Sequence, residues 1–231
     1  MSFAARPIGL VKGEFVFVDV ITSDVTNYNL RARAVAAGWD QVVPLVATTT
    51  VNSGIVLSAD STSQYAFDTG ATFPAGTTLT LVNNGFVVGM GGAGGAMYTA
   101  GSNGGPALRA QYAISIDAAG GVIGGGGGGG GSDEGGGGGG GRSGRTNAAG
   151  ADGGASGTFS SGGSGGGYGG GAGGTTGPGG AGSSSAGGGG GGWGASGGTA
   201  GSYVGGTGGA AVVGNSYITW INTGTRYGDI T

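Results

Sequence analysis

The sequence predicts a mainly β base that carries a bundle of packed polyglycine-II helices, with little α-helix. Short runs of β-branched and aromatic residues near both ends of the chain predict the base. Between Gly85 and Val213 lie all but nine of the 68 glycines of this 231-residue chain. Because glycine loses more backbone freedom on folding than any other residue, such a stretch either stays disordered or orders by a mechanism that requires the absence of side chains.

Residues 1–84 have the composition of a small β-rich domain, which we interpret as an attachment base. Apolar runs in which β-branched residues dominate or alternate with polar ones predict strands. Turn-forming residues separate several of these runs, as in Asn52-Ser53-Gly54 and Asn83-Asn84-Gly85. The predicted strands lie within Phe15 to Ile21, Val42 to Val51, Ile55 to Leu57, Thr78 to Leu81 and Phe86 to Val88.

One short helix is predicted from Leu30 to Ala37. Asn27 or Asn29 would cap its N-terminus, and Gly38 would end it. Trp39, directly after the helix, is expected to pack on the sheet.

The last part of the chain, residues 214–231, is too short to fold alone and is predicted to return to the base as a strand. Tyr217 to Ile221, with Trp220 at its centre, forms the apolar run that favours this placement. Residues 85–213 would then be a glycine-rich insertion held at both ends. Ala113 to Asp117 is a further strand-like segment within that insertion.

The glycine tracts favour an ordered scaffold over a flexible linker. Unbroken tracts run from Gly124 to Gly131, from Gly135 to Gly141 and from Gly187 to Gly192, and no Gly-X-Y period indicates collagen. Polyglycine can form an extended helix with three residues per turn, whose backbone groups bond to neighbouring helices. A side chain at a buried position would force such helices apart. A flexible linker remains the alternative, although flexible linkers rarely contain bulky residues such as those that lie between these tracts.

Composition excludes several function classes. Eight basic residues against 11 acidic ones give no electrostatic signature of nucleic-acid binding. No apolar run is long enough to span a membrane, so we expect a soluble protein made in a cytoplasm. The absence of Cys and His removes thiol and imidazole chemistry and ordinary zinc sites. We therefore predict no enzyme, no cofactor and no metal site.

One motif imitates a dinucleotide site. Gly89 to Gly94 fits the spacing G-x-G-x-x-G after a strand-like run. The helix that must follow is excluded by further glycines and Pro106, so the match is attributed to chance.

A resemblance to a known family is carried by the succession of glycine tracts and by three short units. These units are Gly104-Gly105-Pro106-Ala107-Leu108, Ile114-Ser115-Ile116, and Gly121-Val122-Ile123 leading into Gly124 to Gly131. Together they resemble glycine-rich receptor-binding proteins of tailed bacteriophages. They are similar to the distal tail-fibre adhesins of T-even-type phages, in which a small attachment domain carries packed polyglycine helices with variable loops at the tip.

The resemblance implies an adhesin of the virion, on a phage tail tip or fibre, that binds a protein or polysaccharide receptor on a bacterial surface. Residues 1–84 would attach to another phage tail protein, as a single chain or a homotrimer. Exposed loops on a rigid scaffold are common sites of recognition. The candidate receptor contacts are residues between the glycine tracts, namely Met97, Tyr98, Arg142, Arg145, Asn147, Phe159, Tyr168, Trp193 and Tyr203.

Other interpretations stay open at this point. Trp193 and Tyr168 are equally compatible with covering the side of the glycine bundle. An ice-binding protein would use a flat polyglycine bundle, but it would need a regular Thr or Ala face. A structural glycine-rich coat or wall protein is the remaining alternative.

Overall fold

The computed structural model describes residues 5–7, 13–133, 157–159, 161–167, 170–175, 177, 179–182 and 186–231. These residues are mostly β, with one α-helix and one short 3₁₀ helix, which confirms the predicted mainly β character. In chain order the elements are β1 (Ala5–Pro7), β2 (Phe15–Ile21), β3 (Val25–Thr26), β4 (Tyr28–Asn29), α1 (Leu30–Ala36), β5 (Leu45–Val51), β6 (Val56–Ser58), β7 (Phe67–Asp68), β8 (Thr78–Asn83), β9 (Phe86–Val88), β10 (Leu108–Arg109), β11 (Ile114–Asp117), β12 (Val122–Gly124), β13 (Val212–Val213), the 3₁₀ helix Asn215–Tyr217, β14 (Ile218–Asn222) and β15 (Thr225–Tyr227).

The strands form three sheets, which we name by the length of their strands and by their place along the chain. The long sheet has the order β1-β2-β5-β8-β11-β14, the middle sheet β15-β12-β9-β6-β3 and the short sheet β13-β10-β7-β4. All pairings are parallel except that of β1 with β2. From β2 onwards, each pass of the chain adds one strand to the long, the middle and the short sheet in turn, and the fifth pass ends with β15 of the middle sheet. The base is therefore a three-sided parallel β-solenoid.

The turns predicted from Asn and Gly are present, but they join strands of different sheets. At Asn52-Ser53-Gly54, the Ile55 N–H donates to the carbonyl of Asn52, and Gly54 has a φ of +76°. This turn leads from β5 in the long sheet to β6 in the middle sheet. Turn chemistry in this chain thus marks the corners of the solenoid.

Alternation of side chains along the long sheet builds the core. In β8 the alternating residues Leu79 and Leu81 are buried, whereas Thr78 and Thr80 are more exposed. In register, Phe17 of β2 lies next to Ala47, Ala47 next to Leu79, and Leu79 next to Ile114. Stacked passes of the chain therefore share one continuous apolar interior.

The predicted helix is confirmed as α1, at the connection from β4 to β5. The Asn29 side chain caps it by accepting from the Ala32 N–H at 2.8 Å, and Gly38 follows it with a φ of +106°. Trp39 is buried, stacks on Phe73 and donates its indole N–H to a backbone carbonyl. Trp39 therefore packs in the core, as predicted.

A polar group lies inside the solenoid. The Tyr28 hydroxyl lies 3.0 Å from both a carboxylate oxygen of Asp19 and the hydroxyl of Thr49, and Arg33 Nε donates to the same Asp19 oxygen at 2.7 Å. Burial and the Asp19 carboxylate raise the pKa of the Tyr28 hydroxyl far above its ordinary value of 10.0. The folded protein therefore keeps this phenol protonated in alkaline solution.

We expect this phenol to make stability fall in alkaline solution. Above about pH 10 the unfolded chain releases the Tyr28 proton and the folded chain retains it, so the contribution is complete below that pH and declines above it. The decline should approach about 1 kcal/mol per pH unit. Urea unfolding of the wild type and of Tyr28→Phe between about pH 8 and about pH 11 measures it. A variant with the same alkaline slope as the wild type would contradict the assignment.

Candidate functional site

In the described part of the chain, the glycine-rich segments leave the solenoid at one corner, between the middle and the short sheets. At this corner the successive connections are Asn27, 59–66, 89–107 and 125–211. The first two are a single residue and a short loop, whereas the last two contain most of the glycines. The glycine-rich region thus consists of two insertions that start from neighbouring strands, β9 and β12, and return to β10 and β13.

The two outgoing segments continue the parallel register of the middle sheet beyond its last residues. Val88 pairs with Gly124 at the end of β9 and β12. From there, backbone N–H groups of the first segment donate to carbonyls of the second at every third residue. These bonds join Gly89 to Gly124, Gly92 to Gly127 and Gly95 to Gly130, at 2.8 to 2.9 Å.

The segment 124–131 is hydrogen-bonded to neighbours on several sides. Its N–H groups donate in turn to three surrounding stretches of chain, and its carbonyls accept from others. Successive residues point to different neighbours, and the stretches 102–105 and 195–198 are each met again three residues later. For example, Gly126 and Gly129 donate to Gly105 and Ser102, and Gly128 and Gly131 donate to Ala195 and Gly198. In the other direction, Gly191 and Gly188 donate to the carbonyls of Gly128 and Gly131.

Most positions of this segment have no room for a side chain. A Cβ at Gly125, Gly126, Gly128 or Gly129 would lie 1.9 Å from a backbone carbonyl oxygen of a neighbouring segment. Real Cβ atoms do not approach oxygen so closely, and backbone oxygens cannot swing aside as a flexible side chain can. The close packing predicted from the glycine content is therefore present in the described residues.

Among the described residues, the turns farthest from the solenoid bring apolar and aromatic side chains together. Met97 and Tyr98, in the turn after Gly95, are 48% and 47% exposed. The ring of Tyr98 lies 6.0 Å from that of Tyr203, and Val204 is 59% exposed. A Gly101 to Val204 hydrogen bond of 3.0 Å ties the two turns together. We name Met97, Tyr98, Tyr203 and Val204 the tip patch.

At the opposite end of the glycine segments, other turns fold back onto the solenoid. Trp193 is only 7% exposed and contacts Phe86, Phe159 and Tyr227, with ring centroids 5.3 to 6.1 Å apart. This group covers the outer face of the middle sheet beside Val56, Val88 and Val122. We name Phe86, Phe159, Trp193 and Tyr227 the aromatic cluster.

The model of the family described as phage tail fibre adhesin Gp38 matches residues 16–231. The chain belongs to this family. The prediction of an adhesin located in the tail fibre of a virion is thereby confirmed. No curated protein is significantly similar to the adhesin.

A solved structure shares the adhesin's fold. It is described as the crystal structure of the gp37-gp38 adhesin tip complex of the bacteriophage S16 long tail fiber. The similarity has a TM-score of 0.66 at 23% sequence identity, and it covers 93% of the adhesin and 82% of the other chain. None of the helices in the described part of the adhesin has the length and apolarity needed to cross a membrane.

The predicted contact residues of the adhesin fall into three groups. Met97, Tyr98 and Tyr203 meet in the tip patch, whereas Phe159 and Trp193 lie in the aromatic cluster at the other end. Val204 was not among the predicted contacts, although its position directly after Tyr203 between two glycine stretches was a usable signal. Arg142, Arg145, Asn147 and Tyr168 lie outside the described residues.

Proposed function

We propose that the adhesin binds a receptor on the surface of its host bacterium through the turns that carry the tip patch. The observation that supports this proposal most directly is the collection of exposed Met97, Tyr98 and Val204 in the described turns that lie farthest from the solenoid. Tyrosine presents a large and rigid contact area at low conformational cost, with a hydroxyl that bonds to protein or sugar. Arg142, Arg145 and Asn147 remain candidates for the same recognition surface.

We propose further that the glycine segments are polyglycine-II helices, and that they serve as a rigid scaffold for the turns. The support is the three-residue recurrence of hydrogen bonds between neighbouring segments, because this helix has three residues per turn and no internal hydrogen bonds. A rigid scaffold holds the binding surface in place before the receptor arrives. Less conformational entropy is then lost on binding.

The base is proposed to attach the adhesin to another tail fibre protein. The solved relative is a complex of gp37 with gp38, which supports a second phage protein as the partner. We keep the division into a base of residues 1–84, a receptor-binding region of residues 85–213 and a returning segment of residues 214–231 as a proposal. In the fold, β9 to β13 and the last two strands all add to the solenoid of the base.

Removing the tip aromatics should abolish most binding to host cells. For the isolated protein with Tyr98→Ala and Tyr203→Ala, we expect binding to cells of the phage's host to fall at least about tenfold, because tyrosines that become buried in an interface on binding are frequent hot spots. Tyr217→Ala is the matched control, since this tyrosine is 50% exposed in the last pass of the solenoid. Binding should be measured by flow cytometry with fluorescent protein. Equal binding of the tip variant and the wild type would refute the proposed role of the tip patch.

A further inference from the structure

We propose that Phe159 and Trp193 are positioning residues, which lock the glycine segments onto the base and so set where the tip patch points. Both side chains come from base-end turns of the longer insertion and fold back onto the outer face of the middle sheet. The inference rests on the proposed function only where receptor binding is concerned. Its structural part concerns how the two regions of the chain are held together.

The need for such an anchor follows from the composition of the insertion. Glycine segments offer backbone hydrogen bonds, but they have no side chains that could bury apolar surface against the base. Among the described residues, the chain passes between the two regions at one corner only, after β9 and β12 and before β10 and β13. Connections confined to one corner allow a bundle to rock about that corner. Apolar contacts between the bundle and a face of the base, in addition to the covalent connections, are needed to fix its angle.

The aromatic cluster supplies these contacts. Phe159 meets Phe86 of β9 edge to face at 5.2 Å, and Trp193 meets Phe159 edge to face at 5.3 Å. Trp193 also lies 5.7 Å from Tyr227 of β15. Two residues of the insertion are thereby interleaved with strands of the third and fifth passes of the solenoid. Aromatic pairs in this geometry stabilise beyond their buried area.

Two glycines, Gly124 and Gly194, allow the Trp193 turn to approach the base closely. A Cβ at Gly124, the last residue of β12, would lie 3.1 Å from Trp193 Cγ, so the indole covers the point where the strand becomes a glycine segment. Gly194 has a φ of +63°, and a Cβ there would lie 2.3 Å from the N atom of Gly228. The Gly194 N–H donates to the Gly125 carbonyl at 2.7 Å. The turn is therefore held by backbone bonds as well as by its aromatic ring.

Burial separates this pair from the tip patch. Trp193 is almost fully buried and Phe159 is partly buried, whereas Met97, Tyr98 and Val204 are exposed. A receptor cannot reach a side chain that the protein itself covers. Phe159 and Trp193 are thus expected to influence binding through the orientation of the tip and not by direct contact.

The test combines amide exchange with cell binding on the isolated full chain. With Phe159→Ala and Trp193→Ala, we expect faster exchange at the base-end amides Gly125, Gly128 and Gly194, while amides of β5 and β8 keep their wild-type protection. Binding to host cells should fall at least about tenfold at a temperature where the base is fully folded, because the binding surface is no longer pre-organised. The single substitution Trp193→Phe, with Phe159 retained, should keep most of the wild-type amide protection and most of the binding to host cells. Trp220→Ala, in the last pass of the solenoid, controls for the loss of a tryptophan.

Each outcome bears on the proposal. Unchanged exchange at Gly125, Gly128 and Gly194 would overturn it, whatever happens to binding. Loss of protection throughout β5 and β8 would overturn it too, because the cluster would then belong to the main core. Faster exchange with wild-type binding would overturn the positioning role. If the tip variant fails to lose binding, the proposed function fails, and the exchange measurement still decides whether the anchor exists.

Discussion

Gly128→Ala is expected to destabilise the packed glycine segments by about 3 kcal/mol, at the upper end of what overpacking usually costs. The new methyl carbon would lie 1.9 Å from the carbonyl oxygen of Gly206. Gly128 also donates to Ala195 and accepts from Gly191, so a shift that relieves one contact breaks hydrogen bonds on another side. Amide exchange across residues 124–131, together with thermal unfolding, measures the loss.

Gly177→Ala is the matched control for this substitution. No described atom lies within 4 Å of a Cβ placed at Gly177, and its φ is not positive. The same change of one methyl group should there be neutral or stabilise by up to about 1 kcal/mol, through the reduced entropy of the unfolded chain. Equal effects of the two substitutions would show that side-chain volume does not limit the packing around Gly128.

Asp68→Ala is expected to cost about 3 kcal/mol of the free energy of unfolding, because it leaves one buried and three half-buried donors without their acceptor. Asp68 is a buried residue of β7, between β4 and β10 in the short sheet. Its carboxylate joins three passes of the solenoid by accepting from Arg109 Nη2 at 2.6 Å, Gln111 Nε2 at 3.0 Å, Asn29 Nδ2 at 3.3 Å and the Gly70 N–H at 2.9 Å.

The size of this effect follows from the exposure of the partners. The Arg109 side chain is partly exposed and can regain water, which places the cost at the low end of the range for a broken buried ion pair. Asp117→Ala is the control, since Asp117 accepts from Asn222 and from the Ala119 N–H at an exposed corner. We expect that substitution to cost less than about 1 kcal/mol in urea unfolding. Similar losses for Asp68→Ala and Asp117→Ala would rule out the proposed importance of the Asp68 group.

The solenoid and the glycine segments of this adhesin are stabilised by two different kinds of packing. The solenoid buries side chains such as Phe17, Leu79 and Ile116 in one apolar interior. The glycine segments next to it contain almost no apolar side chains and are joined by backbone hydrogen bonds. Net hydrogen bonds stabilise by only about 1 kcal/mol each, against a similar or larger entropy cost for each ordered residue. The glycine region therefore depends on the base from which its segments start.

Several elements could be predicted from local patterns alone. β2 begins and ends at the predicted residues Phe15 and Ile21, because a run of β-branched and aromatic residues suits a buried strand. The helix α1 was predicted from its Asn29 cap and from Gly38. These signals are local, since each depends on residues within one turn of helix or along one strand.

The partner of each strand could not be predicted in this way. A turn such as Asn52-Ser53-Gly54 suits a tight reversal as well as a corner. The structure instead pairs β5 with β2 and β8, which lie one pass before and one pass after it in the chain. Register across such distances is decided by which inward residues fill the shared interior, and that depends on all passes together.

The kinds of residue that form the proposed binding surface could be predicted from the sequence, but their positions in the fold only partly. Aromatic residues between glycine tracts marked Tyr98 and Tyr203 as candidates, and the fold brings them together. The same reasoning selected Trp193, which the fold buries at the other end of the segments. Spacing between glycine tracts does not reveal whether a turn faces the base or the tip.

The sequence by itself determined that long parts of this adhesin would have no side chains, and that short β-branched strands would form its base. The tertiary structure decided which glycine segments are neighbours and which turns are distal. The physical reason is that a glycine segment has no side chains to specify a partner or a register. Its neighbours are fixed by the ends of β9 and β12, from which the glycine segments start, and by β10 and β13, to which they return. The aromatic side chains that hold the turns on the base fix them as well.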